Sequence, residues 1–451
     1  MPYPARMKGA IAAGHPVSAE AGARVLADGG NAVDALLAAA FAAFVAEGPL
    51  TGPAGGGLLL VHPPGADTVL LDCFFAVPGE PLGEQEEFVV DFADAGSQTF
   101  HVGLGSVAVP GLVAGLEEAH RRFASREWAE LVSPAIELAR RGIVRDEPRA
   151  FLHRILEPIL TRDEGGRRMY GDASRIVTSD LCETLAALRD SGSRAVADLL
   201  PEYAGELERY EVRDVEPLEG VLGDLRVRAA PPPSRGGAVV LRILELLGEA
   251  GDPSPATRAD AIAEGYGATA PAPLTGTTHV SVVDGSGTAA ALSSTLGSGS
   301  GVFRQGAQLN NMLGELDVIG PGPHEQGSRL ATMLTPTLVL ENGDPRLVLG
   351  SAGSVRLAGA IAQVVWNVLG RGDHLEQAIA APRMHVDGSK LQLEGGWDDA
   401  AAEELEEGRE VVRWSGSNLY FGGVQAVART RDGSLRAAGD PRRGGCGLVV
   451  E

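Results

Sequence analysis

The chain of 451 residues carries a formal net charge of -22 at pH 7, and 44% of its residues are hydrophobic. The charge argues against nucleic acid and anionic membranes as partners, whereas the apolar fraction is ample for a buried core. Three cysteines lie far apart and lack the spacing of a metal site, so the sequence predicts no zinc site, no disulfide framework and no cofactor.

The chain shows no sequence signal for export or membrane insertion. Residues 1–8 do not run into the apolar core of a secretory signal. The longest apolar run, residues 35–46, is shorter than the roughly 20 residues that a membrane span requires. The sequence therefore predicts a cytoplasmic protein without a membrane-spanning segment.

Two helices are predicted near the N-terminus. The first covers residues 17–28 and ends at Gly29-Gly30, because glycine readily adopts the conformation that terminates a helix. Asn31, with Asp34 three residues later, is suited to cap the second helix. This second helix is rich in alanine and leucine on every face, which predicts that it is buried.

The rest of the pattern alternates short strands with helices. Strands are predicted at residues 58–62, 69–75, 338–340, 347–350, 391–393, 423–430 and 447–450, and residues 101–109 look extended. Helices are predicted at residues 112–123, 128–141, 180–190, 194–200, 239–247, 354–369 and 376–380. Strands at both ends of the chain with helices between them predict a sandwich of two sheets covered by helices.

A threonine-rich hairpin is predicted in the second half of the chain. Residues 280–283 are mostly valine, residues 284–287 supply a turn, and residues 289–295 run back as a second strand. With the turn centred in this way, Thr277 lies beside Thr295. Two hydroxyl groups are therefore expected to meet at the mouth of the hairpin.

The placement of Thr277 suits a chain that is cut immediately before it. The freed α-amine would belong to the same residue as the hydroxyl that it must activate, and the pKa of such an amine, roughly 7.7 to 8.0, lies near operating pH. A threonine with its own N-terminal amine is a recognised pair of nucleophile and base. On these residues alone, an ordinary threonine-rich hairpin without chemistry is the favoured interpretation.

The passage that begins at Thr277 resembles the self-cleavage site of the γ-glutamyltranspeptidase family, in which Thr-Thr-His-x-Ser-Val-Val-Asp opens the small subunit. Further blocks that resemble this family follow one another in family order along nearly the whole chain. They are residues 29–35, 55–57, 109–111, 134–139, 309–311, 335–337, 381–383 and 440–443. So many blocks in one order make the resemblance highly specific.

The resemblance implies a fold and a division of the chain. The implied fold is the four-layer αββα sandwich of N-terminal-nucleophile hydrolases, an α/β (α+β) architecture. Residues 1–276 would form the large subunit and residues 277–451 the small subunit, cut from one precursor and held in one structural domain. Further oligomerisation stays open.

The resemblance also implies the catalytic residues. Thr277 would attack the acyl group, and Thr295 would form a hydrogen bond with this nucleophile. Gly353 and Ser354 stand where a glycine pair of the family gives backbone amides to the oxyanion, and the start of a helix favours such a charge. Because these donors are main-chain groups, Ser354 is expected to serve provided that its φ angle is negative.

The implied substrate pocket departs from the family pattern. Phe74 occupies the place of the arginine that holds the glutamyl α-carboxylate, and Ala331-Thr332 replaces a Ser-Ser pair. After the Asn pair that begins at Asn310, Met312 and Glu315 align with the two polar residues that hold the glutamyl amine. An unpaired buried carboxylate is costly, so the sequence predicts a non-glutamyl acyl donor that is more apolar near Phe74 and Met312.

Two arginines and three histidines also lie in or near the family motifs. Arg356 and Arg383 either form a new clamp for a carboxylate or pair with structural acids. His15, His279 and His385 are predicted to be structural, because the α-amine already serves as the base.

These residues predict a self-processing N-terminal threonine hydrolase or acyltransferase, with a small-molecule acyl donor and with water or an amine as acceptor. One alternative is a specialised branch of the family, in actinomycete pathways to 4-alkylproline units, in which the same nucleophile hydrolyses a carbon-carbon bond. The other alternative is an uncleaved, catalytically silent scaffold or binding protein.

Overall fold

The computed structural model describes residues 8–91, 97–145, 147–172, 174–267, 276–320 and 322–451. Within these residues, two antiparallel sheets form the centre of the molecule. The first sheet has seven strands, which in spatial order are β22 (Cys446–Val450), β1 (Gly9–Ala13), β11 (Gly276–Asp284), β12 (Ala289–Gly297), β2 (Gly56–His62), β3 (Val69–Cys73) and β8 (Arg213–Val215). The second sheet has six strands, in the order β21 (Leu435–Gly439), β20 (Gly423–Arg429), β16 (Asp344–Ala352), β15 (Thr337–Glu341), β10 (Leu225–Ala229) and β9 (Leu218–Leu222).

The two sheets face each other, and helices cover the outer face of each. Strands β11 and β12 of the first sheet contact β16 of the second. The helices on the side of the first sheet are α1 (Pro16–Ala27), α2 (Ala32–Ala46), α3 (Leu112–Phe123), α4 (Trp128–Arg141) and α7 (Leu181–Ser191). Those on the side of the second sheet are α10 (Gly236–Ala250), α11 (Pro255–Tyr266), α13 (Leu357–Val365) and α14 (Leu375–Ala380). This arrangement confirms the predicted four-layer αββα sandwich.

Smaller elements complete the described residues. The remaining helices are α5 (Glu147–Leu160), α6 (Glu164–Tyr170), α8 (Val196–Leu199), α9 (Ala204–Glu208), α12 (Leu316–Ile319) and α15 (Asp399–Glu406). Short strands pair apart from the main sheets: β4 (Glu86–Asp91) with β5 (Ser97–Val102), β6 (Ile143–Val144) with β7 (Arg175–Ile176), β13 (Phe303–Arg304) with β14 (Ala307–Gln308), and β18 (Lys390–Leu393) with both β17 (Met384–Asp387) and β19 (Glu410–Arg413). Among the helices described, none has the length and apolar character needed to cross a bilayer.

The N-terminal helices form as their local sequence predicts. The Asn31 side chain accepts hydrogen bonds from the amides of Val33 and Asp34, and the Asp34 carboxylate accepts one from the Asn31 amide at 2.8 Å. This reciprocal capping satisfies amides that a helix start leaves without partners. Every residue of α2 is buried, because this helix lies between the first sheet and the helices outside it.

Several of the predicted elements are wrong in part, among them the helix at 194–200, of which only Val196–Leu199 is α-helical. Residues 101–109 are not continuously extended, since β5 ends at Val102 and a 3₁₀ turn follows at Leu104–Ser106. The predicted helix at 354–369 is broken into a 3₁₀ turn (Ser354–Arg356), α13 and a π-helical turn (Trp366–Gly370). Apolar periodicity reports which residues are buried, but it does not distinguish these tighter and wider turns from an α-helix.

The first sheet interleaves the two parts of the chain that lie before and after Thr277. Strand β1 lies between β22 and β11, and β12 pairs with β2. Strands from the N-terminal part therefore lie next to strands from the C-terminal part at three places in the sheet. Thr277 lies on β11, near the middle of this interleaved sheet and facing strands of the second sheet.

Candidate active site

A β-bulge interrupts the hairpin at Thr277. Pairing follows the predicted register from the turn as far as Thr278, which lies opposite Ser294, but the next pair joins Gly276 to Gly297. Two residues of β12, Thr295 and Leu296, therefore face the single residue Thr277, as in a β-bulge. Thr277 and Thr295 are neighbours as predicted, but they do not form the regular strand pair that was expected.

Glycines make this bulge possible. A Cβ atom on Gly276 would lie only 2.6 Å from the carbonyl oxygen of Gly297 and 3.0 Å from that of Pro49. Gly297 itself has φ 68°, in the left-handed region that glycine adopts without strain. The backbone before Thr277 is thus held between close neighbours that leave no room for a side chain.

The Thr295 hydroxyl binds the peptide group that precedes Thr277. Its Oγ1 donates a hydrogen bond to the carbonyl oxygen of Gly276 and accepts one at 2.8 Å from the amide of Gly297. Thr277 and Thr295 are both buried. A donor fixed on a carbonyl in a dry site polarises that carbonyl toward attack.

A narrow cavity brings most of the predicted site residues together beside Thr277. The predicted residues that line it are Phe74, Thr277, Thr295, Met312, Glu315, Thr332 and Ser354. Sequence reasoning missed four apolar residues of the same wall: Val318, Met333, Leu334 and Leu357. The cavity has a volume of about 20 Å³, and a single water needs roughly 10–15 Å³. The cavity therefore has room for about one water.

Three predicted site residues of the described chain do not line this cavity. Asn310 is fully buried, and its side-chain amide bonds to the backbone of Ala54, Ala108 and Met312 at 2.9–3.2 Å. These bonds occupy both its donor and its acceptor in this structure, and its predicted contact with substrate stays a prediction. Ala331 and Gly353 lie next to the lining residues Thr332 and Ser354.

Ser354 does not have the negative φ angle that its predicted role requires. Its φ angle is 58°, not negative, and the preceding Gly353 has φ 132°. A non-glycine residue in the left-handed region carries strain of order 1–3 kcal/mol. The Ser354 hydroxyl is buried, and within the described residues it has no hydrogen-bond partner. Such strain and an unbonded hydroxyl at a cavity wall are typical of functional sites.

The cavity combines an apolar wall with one carboxyl group. Phe74 is 1% exposed and packs edge-on against Phe75, with ring centroids 4.9 Å apart. Glu315 accepts hydrogen bonds from the amide and the hydroxyl of Ser298, both at 2.8 Å. Burial raises the pKa of Glu315 against the opposing effect of these bonds. A ligand here would meet apolar surface with a single acid at its edge.

The two arginines of the family motifs have different surroundings. Arg383 donates to the Asp440 carboxylate at 2.6 Å, and both groups are buried. Of the two alternatives for Arg383, the structure therefore supports pairing with a structural acid. The Arg356 guanidinium lies over the Tyr420 ring, 4.3 Å from its centroid.

The three histidines have structural positions, as predicted. His279 forms hydrogen bonds with Ser293 and Ser281 at 2.8 Å, and burial lowers its pKa to about 3. Burial, and to a smaller extent the charge of Arg356, lowers the pKa of His385 to about 3. The His15 ring accepts a hydrogen bond from the amide at the start of α1. In the described residues, no group of three or more His, Cys, Asp and Glu side chains is arranged to hold a metal ion.

The sequence model of gamma-glutamyltranspeptidase matches residues 18–266 and 252–450, which together cover nearly the whole chain. The chain belongs to the gamma-glutamyltranspeptidase family. Its relatives include the acylase ACY 1 proenzyme of Pseudomonas sp. (strain SE83), 29% identical over 98% of this chain and 94% of the relative. The glutathione hydrolase proenzyme of Bacillus subtilis (strain 168) is 25% identical over 98% of this chain and 91% of the relative.

A solved structure shows the same fold. The cephalosporin acylase from Bacillus halodurans superposes with a TM-score of 0.81 at 20% identity and covers 99% of this chain and 98% of its own. The family membership makes this protein an enzyme, a gamma-glutamyltranspeptidase-like N-terminal-nucleophile hydrolase or acyltransferase. The relatives' names mark them as proenzymes, which agrees with two subunits from one precursor.

Proposed function

We propose that this gamma-glutamyltranspeptidase-family enzyme cuts its own chain between Gly276 and Thr277 and then uses Thr277 to hydrolyse an acyl bond of a non-glutamyl small molecule. The hydrogen bond from Thr295 to the carbonyl of Gly276 is the main support for this proposal. It fixes and polarises one particular carbonyl of the chain, and that carbonyl belongs to the peptide bond directly before the proposed nucleophile. Residues 1–276 and 277–451 would then be the two subunits.

The cut itself needs only groups of this chain and water. The Thr277 hydroxyl attacks the Gly276 carbonyl carbon, a C–O bond forms, and the Thr295 hydroxyl stabilises the negative charge on the oxygen. Breaking the C–N bond transfers the acyl group to the Thr277 oxygen as an ester, and the nitrogen takes up the hydroxyl proton. Water then hydrolyses this ester, which leaves a carboxylate on Gly276 and a free amine on Thr277.

The freed amine completes the machinery for substrate. It accepts the proton of its own hydroxyl, whose oxygen attacks the donor carbonyl and forms an acyl-enzyme. Gly353 and Ser354 precede α13, where the first amides of a helix lack intrahelical acceptors and favour an anion. The Gly353 amide is our candidate for the oxyanion site, because Ser354, with φ 58°, does not meet the condition of a negative φ angle. Water or an amine then releases the acyl group.

The cavity supports a donor unlike a glutamyl group. Phe74 and Met312 form apolar wall where the family carries polar or basic residues, and both are almost fully buried. A glutamyl α-carboxylate in contact with Phe74 would lose its hydration without gaining a cation, which costs several kcal/mol. We therefore propose an amide or related acyl compound with an apolar acyl group as the substrate.

The interleaved first sheet supports subunits that stay together after the cut. Strand β1 of the proposed large subunit lies between β22 and β11 of the proposed small subunit, and β2 of the large subunit pairs with β12. Separation would expose the hydrogen-bonding groups of several buried strands. Both subunits are thus expected to remain one structural domain.

Denaturing electrophoresis with N-terminal sequencing tests the proposal. The purified protein should give two bands, and the smaller should begin Thr277-Thr278-His279. Thr277→Ala should stay in one piece and be inactive, whereas the matched variant Thr277→Ser, which keeps a hydroxyl, should still be cut. A persistent full-length band with catalytic activity would refute the mechanism, and one without activity would favour a silent scaffold.

A further inference from the structure

Before the cut, Thr277 lacks the base that it is proposed to use afterwards. Its nitrogen still belongs to the amide bond with Gly276, and resonance with the carbonyl withdraws the lone pair that a proton would need. A threonine hydroxyl is a weak nucleophile unless a base takes its proton. The first step of the proposed self-cleavage therefore needs a proton acceptor from elsewhere in the chain.

Thr277 lines a second cavity, and the wall of that cavity contains a buried acid. The cavity has a volume of about 30 Å³ and shares only Thr277 with the cavity that contains Phe74. Its wall includes Glu47 and Thr278. A single water needs roughly 10–15 Å³, so this cavity has room for about two. A proton can therefore pass from Thr277 to Glu47 through a water.

Hydroxyl groups hold the Glu47 carboxylate beside the nucleophile. Its Oε2 accepts a hydrogen bond from Thr278, the residue that follows Thr277, and its Oε1 accepts one from Ser18 at 2.7 Å. A Cβ atom on Gly14 would overlap both the Glu47 Oε2 and the Thr278 Oγ1, so the backbone of Gly14 closes over this contact. Each carboxylate oxygen has two lone pairs, so these two hydroxyls leave capacity for a bond from water.

Helix stability does not explain an acid at this position. Glu47 is the C-cap of α2, and the C-terminal end of a helix carries partial negative charge that disfavours a carboxylate. Glu47 is also 4% exposed, and burial of a carboxylate is costly. A buried acid that the helix disfavours, next to a nucleophile that needs a base, is typical of a functional group.

The peptide bond that would be cut borders the same cavity. A Cβ atom on Gly276 would lie 3.0 Å from the carbonyl oxygen of Pro49 and 3.3 Å from the Leu50 Cδ2, and both of these residues line the cavity. Thr295, which donates to the Gly276 carbonyl oxygen, lines the other cavity instead. The acid and the group that polarises the carbonyl thus lie in different cavities beside Thr277.

We propose that Glu47 is the proton acceptor of the self-cleavage. As the Thr277 oxygen bonds to the Gly276 carbonyl carbon, its proton passes through a water of the second cavity to the Glu47 carboxylate. As the C–N bond breaks, the proton returns to the departing nitrogen, which leaves a neutral amine and restores the carboxylate. This inference rests on the proposed function, because it concerns the same cut before Thr277.

The rate of cutting tests this role, with cell-free synthesis to supply uncut chain and denaturing electrophoresis to follow it. Glu47→Gln keeps the size of the side chain but accepts no proton, and it should be cut about a hundred- to ten-thousandfold more slowly than the wild type. Glu47→Asp keeps a carboxylate and should be cut faster than Glu47→Gln. The control Glu404→Gln removes a carboxylate that also bonds to a serine, Ser254, but lines neither cavity, and it should be cut at the wild-type rate.

Formate separates a chemical role from a structural one. Glu47→Ala enlarges the cavity, and formate should restore cutting in proportion to its concentration, whereas chloride at the same ionic strength should not. Glu47→Gln cut as fast as the wild type would overturn the proposal, and so would a Glu47→Ala variant, folded by circular dichroism, that formate does not accelerate.

Hydroxylamine identifies the step. It cleaves esters at neutral pH, so release of both fragments from Glu47→Gln at the wild-type rate would show that the ester forms without Glu47, and this would also overturn the proposal. Both fragments should instead stay joined, because no ester forms. Absence of chain cutting in the wild type would contradict the proposed function itself.

Discussion

Replacing Thr295 by valine keeps the branched shape of the side chain and removes the hydroxyl that joins Gly276 to Gly297. The Gly276 carbonyl, which belongs to the peptide bond that we propose is cut, then loses its hydrogen-bond donor. One such donor is worth about 2.7–4 kcal/mol to an oxyanion, or roughly a hundred- to a thousandfold in rate. Two buried backbone groups also lose a partner, which should lower the free energy of unfolding by about 1–3 kcal/mol.

The protein is made by cell-free synthesis, and denaturing electrophoresis follows the conversion of the full-length chain to two fragments. This measures the rate of self-cleavage directly. Ser294→Ala is the matched control, because it removes a buried hydroxyl one residue away that bonds to Thr51 at 2.8 Å. This control should lose comparable stability in urea but be cut at the wild-type rate, and Thr295→Ser should be cut nearly normally. If Thr295→Val is cut as fast as Ser294→Ala, the hydroxyl does not activate the bond and the reasoning is wrong.

Three other predictions follow from the same structure. Ser354→Gly should raise the free energy of unfolding by about 1 kcal/mol, seen as a higher urea midpoint, because glycine adopts φ 58° without strain; a lower midpoint would contradict this. Aniline should be released from a γ-glutamyl anilide at least about a thousandfold more slowly than from hexanoyl anilide, since Phe74 offers the glutamyl carboxylate no cation. Brisk release from the γ-glutamyl anilide would contradict the argument based on Phe74. The pKa of His279 is about 3 in the folded protein, against 6.5 for an unperturbed histidine, so the folded protein holds it neutral. Its contribution to the free energy of unfolding is therefore present above pH 6.5 and is lost as the pH falls toward 3. Between pH 7.5 and pH 5, the free energy of unfolding measured in urea should fall by about 2 kcal/mol less in His279→Gln than in the wild type. An equal fall in both proteins would mean that His279 titrates normally.

Local sequence determined those elements whose cause lies within a few residues. Asn31 and Asp34 cap α2 because both partners of the capping box lie in one turn of chain. Strands β15 and β16 meet at Asn342-Gly343, with φ 54° and 88°, as the Asn-Gly turn predicts. The hairpin register likewise follows from its turn as far as Thr278. The succession of family blocks then indicated the fold and the convergence of Phe74 and Met312 with Thr277.

Only the tertiary structure decided the details that carry the chemistry. The bulge at Thr277 depends on the backbone of Pro49 and Gly297 closing on Gly276. The positive φ of Ser354 occurs where the preceding Gly353 lies against Gly422. Arg442 and Arg443 are adjacent in sequence, yet Arg442 pairs with Glu394 and Asp440, whereas two donors of Arg443 find no hydrogen-bond partner among the described residues. Sequence alone could not separate them, because the pairing of a buried charge is set by which distant carboxylates the fold brings within reach.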